Sequence, residues 1–415
     1  MPKRYGAIAL LTFIYVLNFV DRQLVGILAQ PIKADLGLSD RELGLLTGVA
    51  FALFYTTLAL PIARVAERRN RTGVIALSLG VWSAMTALCG FARGVPQLML
   101  ARIGVGLGEA GYAPAAQSLI ADLVRPERRA TALSIFSLGI PIGMLVGAVA
   151  GGWLGQTLGW RMAFIALGVP GILLALLVPL VIREPERGKM DRAQLNAAPS
   201  FAHVVQQLWA APGFLHMAAG ATLSSFAGYG VTSFAVSLLM RGRDLGLAQA
   251  ASGFGLVAGG AVGIGIAAGG WLSDSQRRSG SGRVAAGGAV VAGLCFSVAL
   301  IPGAGLTQLA VCGGVGLAGA HLYFGPTYGL TVNSVGPQSR ATAIAILLML
   351  MNAVGLGLGP LTVGALSDHF ARADDAAYGL ATALRLTVLL YVWAALHFAM
   401  AGRALRRGQP HNSAR

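Results

Sequence analysis

Charge is what this chain has least of. Asp, Glu, Lys and Arg make up 11% of its 415 residues, against about a quarter in soluble domains. A soluble surface cannot be built at that density, whereas 55% hydrophobic residues and a mean hydropathy of +0.69 suit a chain surrounded by lipid. Cysteine is limited to Cys89, Cys295 and Cys312, all in apolar runs and without paired spacing; this excludes a disulfide framework or a cysteine metal site and leaves three packing residues. No phosphate-cradling loop, metal-ligand cluster or nucleophile constellation is present, so the sequence implies neither an ATP-driven motor nor an enzyme, and no cofactor or metal. Gly104, Gly106, Gly108 and Gly111, or Gly253, Gly255, Gly259 and Gly263, lie inside apolar runs with no preceding strand, where small residues let helices approach closely.

What the chain does have is apolar runs of membrane-spanning length: 5–28, 43–65, 73–92, 97–123, 130–156, 162–182, 212–239, 250–272, 284–302, 306–332, 341–366 and 380–402. The pattern predicts an all-α membrane protein of twelve transmembrane helices in two six-helix bundles, 1–182 and 212–402. Between them lies a cytoplasmic linker, 183–211, and after them a basic tail, 403–415. The first run is too long for a signal-peptide core and is read as a retained helix. In the linker, Phe201, Val204, Val205 and Leu208 fall along one helical side, predicting a short interfacial helix.

Most Lys and Arg fall on one side of these spans: Lys3 and Arg4, the second-to-third break, the fourth-to-fifth, the linker, the eighth-to-ninth and the tail. Both termini are therefore expected in the cytoplasm, in the inner membrane of a bacterium. The net charge of +15 follows from that topology and from attraction to anionic lipid, and needs no nucleic-acid partner.

The halves repeat. Asp122-Leu-Val-Arg-Pro126-Glu-Arg-Arg129-Ala-Thr-Ala132 returns 211 residues later as Asn333-Ser-Val-Gly-Pro337-Gln-Ser-Arg340-Ala-Thr-Ala343. Ala63 to Arg71 has its counterpart at Gly270-Trp-Leu-Ser-Asp274. A parallel repeat of six helices is expected where two bundles rock about a binding site, giving a monomeric carrier pseudo-two-fold symmetry. Glycines and prolines on the fifth run (Gly139, Pro141, Gly143, Gly147, Gly151) and the eleventh (Gly355, Gly357, Gly359, Pro360) are expected to bend.

Four charges stand inside the spans. Asp21-Arg22 interrupts the first run, and Arg102 and Glu109, seven residues apart, sit in the fourth. Each such group costs roughly 2.5 to 3.5 kcal/mol at a bilayer centre, so it faces a partner or water and marks function by default. A carboxylate in a partly dry site stays ionised beside a guanidinium and takes up a proton once that partner leaves. An arginine fork also matches phosphate or carboxylate oxygens. The bland alternative is a static cluster of two pairs, Asp21–Arg22 and Arg102–Glu109, holding two helices together.

These residues resemble a known family. Gly270-Trp-Leu-Ser-Asp274, and more loosely Ala63 to Arg71 with Glu67 and Asn70, are similar to the cytoplasmic loop of the major facilitator superfamily; Arg102-Ile-Gly-Val-Gly106-Leu-Gly108-Glu109 is similar to its fourth helix. Within it, Asn18-Phe-Val-Asp21-Arg22, Gly108-Glu109-Ala-Gly-Tyr112-Ala-Pro114, Pro126-Glu-Arg-Arg129-Ala and Gly159-Trp160-Arg161 resemble the spinster-type transporters, whose animal members export sphingosine-1-phosphate and lysophospholipids. The resemblance covers essentially the whole chain. It implies proton-coupled transport of an amphipathic anion by alternating access, with Asp21 and Glu109 as proton sites and Arg22 and Arg102 as anion partners.

The second half lacks such charges: position 320, matched to Glu109, is Ala. It offers Phe226, Tyr229, His321, Tyr323 and Asn352, which with Tyr112 of the first half are candidate contacts for a lysolipid's apolar part, or ordinary helix-packing residues. Glu67, Arg68, Arg71, Asp122, Arg125 and Arg129, with Asp274 and Arg340 in the second half, are expected to gate the cytoplasmic mouth through ion pairs or else to be solvated surface charges. A multidrug or small organic-anion porter is the alternative within transport. A lipid scramblase or a receptor is the alternative outside it.

Overall fold

The computed structural model describes residues 2–68, 70–125, 128–185, 199–275, 280–336 and 339–407, with the side chains of all of these except 2–4, 60, 63–68, 130 and 274. Among the described residues the regular structure is entirely helical. The first half comprises α1 (Pro2–Ile27), α2 (Ala29–Leu36), α3 (Asp40–Thr47), α4 (Val49–Arg68), α5 (Arg71–Cys89), α6 (Val95–Glu109), α7 (Tyr112–Leu123), α8 (Arg129–Ser137), α9 (Gly139–Thr157) and α10 (Gly159–Val181). After α11 (Phe201–Ala210), the second half comprises α12 (Phe214–Arg243), α13 (Leu247–Ser275), α14 (Ser281–Ala299), α15 (Leu306–His321), α16 (Phe324–Asn333), α17 (Arg340–Leu350), α18 (Gly357–His369), α19 (Tyr378–Val388) and α20 (Leu390–Arg407).

Eleven helices among the described residues are long and apolar enough to cross a membrane. The fourth span, 97–123, is the remaining one, and here the structure departs from the expected continuous run: it divides into α6 and α7 at Ala110 and Gly111. Pro114 has no N–H to offer the Ala110 carbonyl, and its ring crowds that carbonyl, so the helix ends one turn earlier. The repeat shows the same division. Val95 and Leu306, 211 apart, open α6 and α15, and α15 stops at His321 before α16. The break places Glu109 at the last residue of α6, the negative end of its dipole.

The chain forms two compact units. Unit 1 is Met1–Gln194, Thr232–Gly259 and Pro360–Leu380; unit 2 is Leu195–Val231, Gly260–Gly359 and Ala381–Arg415. In unit 1, α9 lies along α1 and α10 along α5, and α6 is wedged against α4 and α5. Glycine permits the last of these contacts, since a Cβ on Gly108 would stand 2.6 Å from the backbone nitrogen of Trp82, which is fully buried. On α9, Gly143 and Gly147 meet the Val16–Val20 stretch of α1, so these glycines serve contact; the helix is interrupted before them, at Leu138 between α8 and α9, where Pro141 leaves the Ser137 carbonyl without its usual donor. The glycine-rich part of the eleventh span does distort, into a π-helical turn over Met351–Leu356.

In unit 2, α14 packs on α15 and α20, and α11 lies against α17. The short helix expected in the linker forms, with Ser200 as its cap, accepting from the His203 N–H at 3.3 Å. Val204 and Leu208 are buried as their spacing requires, while Phe201, on the first turn, remains 38% exposed.

Candidate functional site

The four charged residues of the first half converge in unit 1, but not in the expected pairs. Arg22 reaches from α1 to α6 and donates from Nε to Glu109 Oε2 at 2.7 Å; Asp21 accepts from Thr86 Oγ1 of α5 at 3.2 Å. Adjacent helical residues diverge by about 100°, so Asp21 and Arg22 cannot pair; seven residues along a helix separate Arg102 from Glu109 by about 10 Å of rise. Asp21, Arg102 and Glu109 are each at most 3% exposed, and the Arg22 side chain keeps 16%.

Aromatic rings complete the cluster. The Arg22 guanidinium lies 4.5 Å from the Tyr55 ring centre, 5.0 Å from Phe19 and 5.2 Å from Phe51, and Arg102 lies 5.4 Å from Phe51. Arg102 Nε and Nη1 and Glu109 Oε1 have no hydrogen-bond partner among the described residues, while the Asn18 side chain is directed at Glu109 and that of Trp82 at Asp21. A buried donor left unpaired costs about 1–3 kcal/mol.

Tyr112 is nearby but already engaged. It is fully buried, donates its hydroxyl to the Leu11 carbonyl, and packs on Tyr15, Trp82 and Phe136, so it joins α7 to α1. Among the second-half candidates, Phe226 and Tyr229 are half-buried on α12, Asn352 is half-buried in the π-helical turn, and Tyr323 is buried against Phe324 and Phe398. His321 donates from Nδ1 to the Leu317 carbonyl at 2.8 Å and stacks on Phe324.

The gating candidates separate sharply. Arg71, 1% exposed, is fully engaged: Nε donates to Glu184 at 2.7 Å, Nη1 to Asp122 at 2.6 Å and to Ser118, and Nη2 to the Pro185 carbonyl. Arg129 donates to the Ala121 carbonyl at 2.8 Å, and Arg125 and Arg340 are exposed. The side chains of Glu67, Arg68 and Asp274 lie outside the described residues. Glu184 was not singled out in the sequence. Burial raises its carboxyl, yet the Thr72 N–H, the Arg71 guanidinium and the Thr72 hydroxyl outweigh this and hold it below the ordinary range.

A second cluster in unit 1, also missed, lies at helix ends that follow odd-numbered spans. Asp40, 2% exposed, takes a bidentate bond from Arg241 at 2.5 and 2.6 Å, one from Lys33 at 2.6 Å and one from Ser367 at 2.6 Å. Asp368 accepts the Asp40 and Arg41 N–H groups at 3.0 and 2.8 Å, compensating the N-terminus of α3, which Ser39 and Glu42 already close as a capping box. The Ser39-x-x-Glu42 spacing was a legible signal; Arg241, 201 residues from Asp40, was not. Nearby, Gly159 takes φ +82° to begin α10, and the next two residues clamp Asp35, Arg161 at 2.5 Å and Trp160 at 3.3 Å. Among the described residues no three His, Cys, Asp or Glu side chains gather as metal ligands.

Comparison with known proteins agrees with this architecture. A family model described as Major Facilitator Superfamily matches residues 11–360. An MFS-type efflux pump of Mycolicibacterium smegmatis is 34% identical over 403 residues, 93% of this chain and 90% of its own. Protein spinster of Drosophila melanogaster is 25% identical over 92% of this chain and 66% of its own. The crystal structure of a bacterial homolog to the human lysosomal transporter spinster, inward-facing and unoccupied, matches with a TM-score of 0.89 at 31% identity, covering 100% of both chains. The chain belongs to the Major Facilitator Superfamily, as a multi-pass membrane transporter of the spinster type.

Proposed function

We propose that the chain is a proton-coupled secondary transporter of an amphipathic anion, a lysophospholipid or sphingoid phosphate. The observation that carries this reading is the buried Arg102, whose Nε and Nη1 lack acceptors among the described residues while Arg22 is held by Glu109. An entering phosphate or carboxylate supplies the missing acceptors. A proton taken by Glu109 weakens its bond to Arg22, so substrate and the Glu109 carboxylate compete for this guanidinium and proton uptake favours anion binding. Asp21, on the next residue of α1 and bonded to Thr86, is the second proton site. Phe226 and Tyr229 give unit 2 an uncharged aromatic surface suited to an apolar chain. The distribution of Lys and Arg supports a bacterial inner membrane with cytoplasmic termini.

Uptake by the full chain in proteoliposomes tests the reading, with lysophosphatidate and sphingosine phosphate compared with their dephosphorylated forms. Saturable flux that follows a pH gradient, falls on removal of phosphate, and gains up to about 0.8 kcal/mol of affinity per added methylene is expected. Asp21→Asn should abolish accumulation and leave downhill exchange. The name of the M. smegmatis relative favours a second reading, export of small organic anions or drugs. A flat chain-length dependence with good transport of short hydrophilic acids would select it, and unsaturable flux indifferent to pH would indicate a scramblase.

A further inference from the structure

Unit 2 carries an apolar groove of about 370 Å³ that none of the transport chemistry uses. Leu208 and Trp209 of α11, Ala219 of α12, Leu350 of α17, and Trp393 and His397 of α20 line it. Trp209 and Trp393 are 64% and 54% exposed, so the groove opens on the outer surface of membrane-spanning helices, where lipid lies. Along α12 its wall runs from Phe214 to Leu223, roughly 14 Å at the helical rise, inward from the interfacial helix. Its direction is that of a lipid chain, not of a helix lying across the bundle.

Charge identifies the head group. The four helices that wall the groove contain no Asp or Glu. At the end shared with α11, exposed Arg403, Arg406 and Arg407 finish α20 and exposed Arg340 begins α17. A long apolar slot beneath a purely basic collar complements an anionic phospholipid, and α11 closes the slot at interfacial depth. His397, bonded through Nδ1 to Nδ1 of His216 at 3.1 Å, ties α20 to α12 along the wall.

We propose that this groove is a resident site for one acyl chain of an anionic bilayer phospholipid, with its phosphate on the arginine collar. The proposal is independent of which molecule is transported. Native mass spectrometry of the full chain, titrated with phosphatidylglycerol or phosphatidylcholine, tests it. One phosphatidylglycerol is expected to be retained at least tenfold more tightly than phosphatidylcholine. Ala219→Phe should remove that lipid, whereas Leu256→Phe, a substitution at an exposed residue of unit 1, should not. Arg403→Gln with Arg406→Gln should bring phosphatidylglycerol down to the phosphatidylcholine level; both positions are exposed, so this pair carries the test even if Ala219→Phe does not fold. Equal retention of the two lipids by the wild type, no loss in the arginine variant, or a dimer that Ala219→Phe dissociates would each overturn the proposal, the last in favour of a second copy covering the groove.

Discussion

Two arginines of unit 1, each 1% exposed, are in opposite condition. Arg71 donates from all three guanidinium nitrogens, to two carboxylates, a hydroxyl and two carbonyls. Arg102 leaves Nε and Nη1 without acceptors among the described residues, over the face of Phe51. Burying a guanidinium is expensive, and a folded chain retains an incompletely paired one only where something else pairs with it. Saturation marks Arg71 as a fastener that ties α5 to α7 and to the chain after α10. On the function proposed above, the two remaining donors of Arg102 are where the transported anion would bind.

The sharpest way to break that contrast is to delete each side chain and ask whether fold or transport is lost. Arg71→Ala strands Asp122 and Glu184, and should cost about 3 kcal/mol; this is the lower end for a broken buried pair, because Glu184 keeps 24% of its exposure. The check is a clear drop in melting midpoint, with partial recovery in Arg71→Lys. For Arg102→Gln the midpoint should hardly move, while apparent affinity for anionic substrates falls about 10- to 100-fold, the equivalent of ~1.5–3 kcal/mol for hydrogen bonds to a charged group. Equal losses for anionic and neutral substrates would make Arg102 a second fastener.

Gly108→Ala probes the support under the site. Its Cβ would press on the Trp82 backbone and push α6, with Glu109 at its end, away from α5; overpacking of this kind costs roughly 1–3 kcal/mol. Transport should become less sensitive to pH before the protein unfolds, as read from paired flux and melting curves. Glu184 gives the smallest effect. Its folded-state carboxyl is held low, so its stabilisation is present above the unfolded value of about 4.3 and fades as pH falls through the lower, folded value. Glu184→Gln should therefore flatten the acid limb of the melting-midpoint profile by lowering the midpoint at neutral and alkaline pH, while variant and wild type converge below the folded value.

These contrasts were only half legible in the chain. That Asp21, Arg22, Arg102 and Glu109 belong together followed from their cost in lipid, a property of each residue alone. Which carboxylate meets which arginine did not: the expected partners were neighbours in sequence, and the real bond joins residues 87 apart. Tyr112 read as a ligand contact and is a tie between helices. No local pattern marks Glu184, which with Asp122 anchors Arg71.

By itself the sequence determined the membrane class, the twelve spans, their repeat and the short linker helix, whereas the division of the fourth span after Glu109 came only with the structure. Hydropathy, helical period and a 211-residue echo are properties of one span or of the chain order, and lipid forces every span into a helix whatever its neighbours. Only the tertiary structure decided the ion pairs Arg22–Glu109, Arg71–Glu184 and Arg241–Asp40, and which donors were left over. A charge-assisted bond is made over less than 3 Å between groups that chain order keeps 87, 113 and 201 residues apart, so helix rotation and depth select the partner and no local pattern records them.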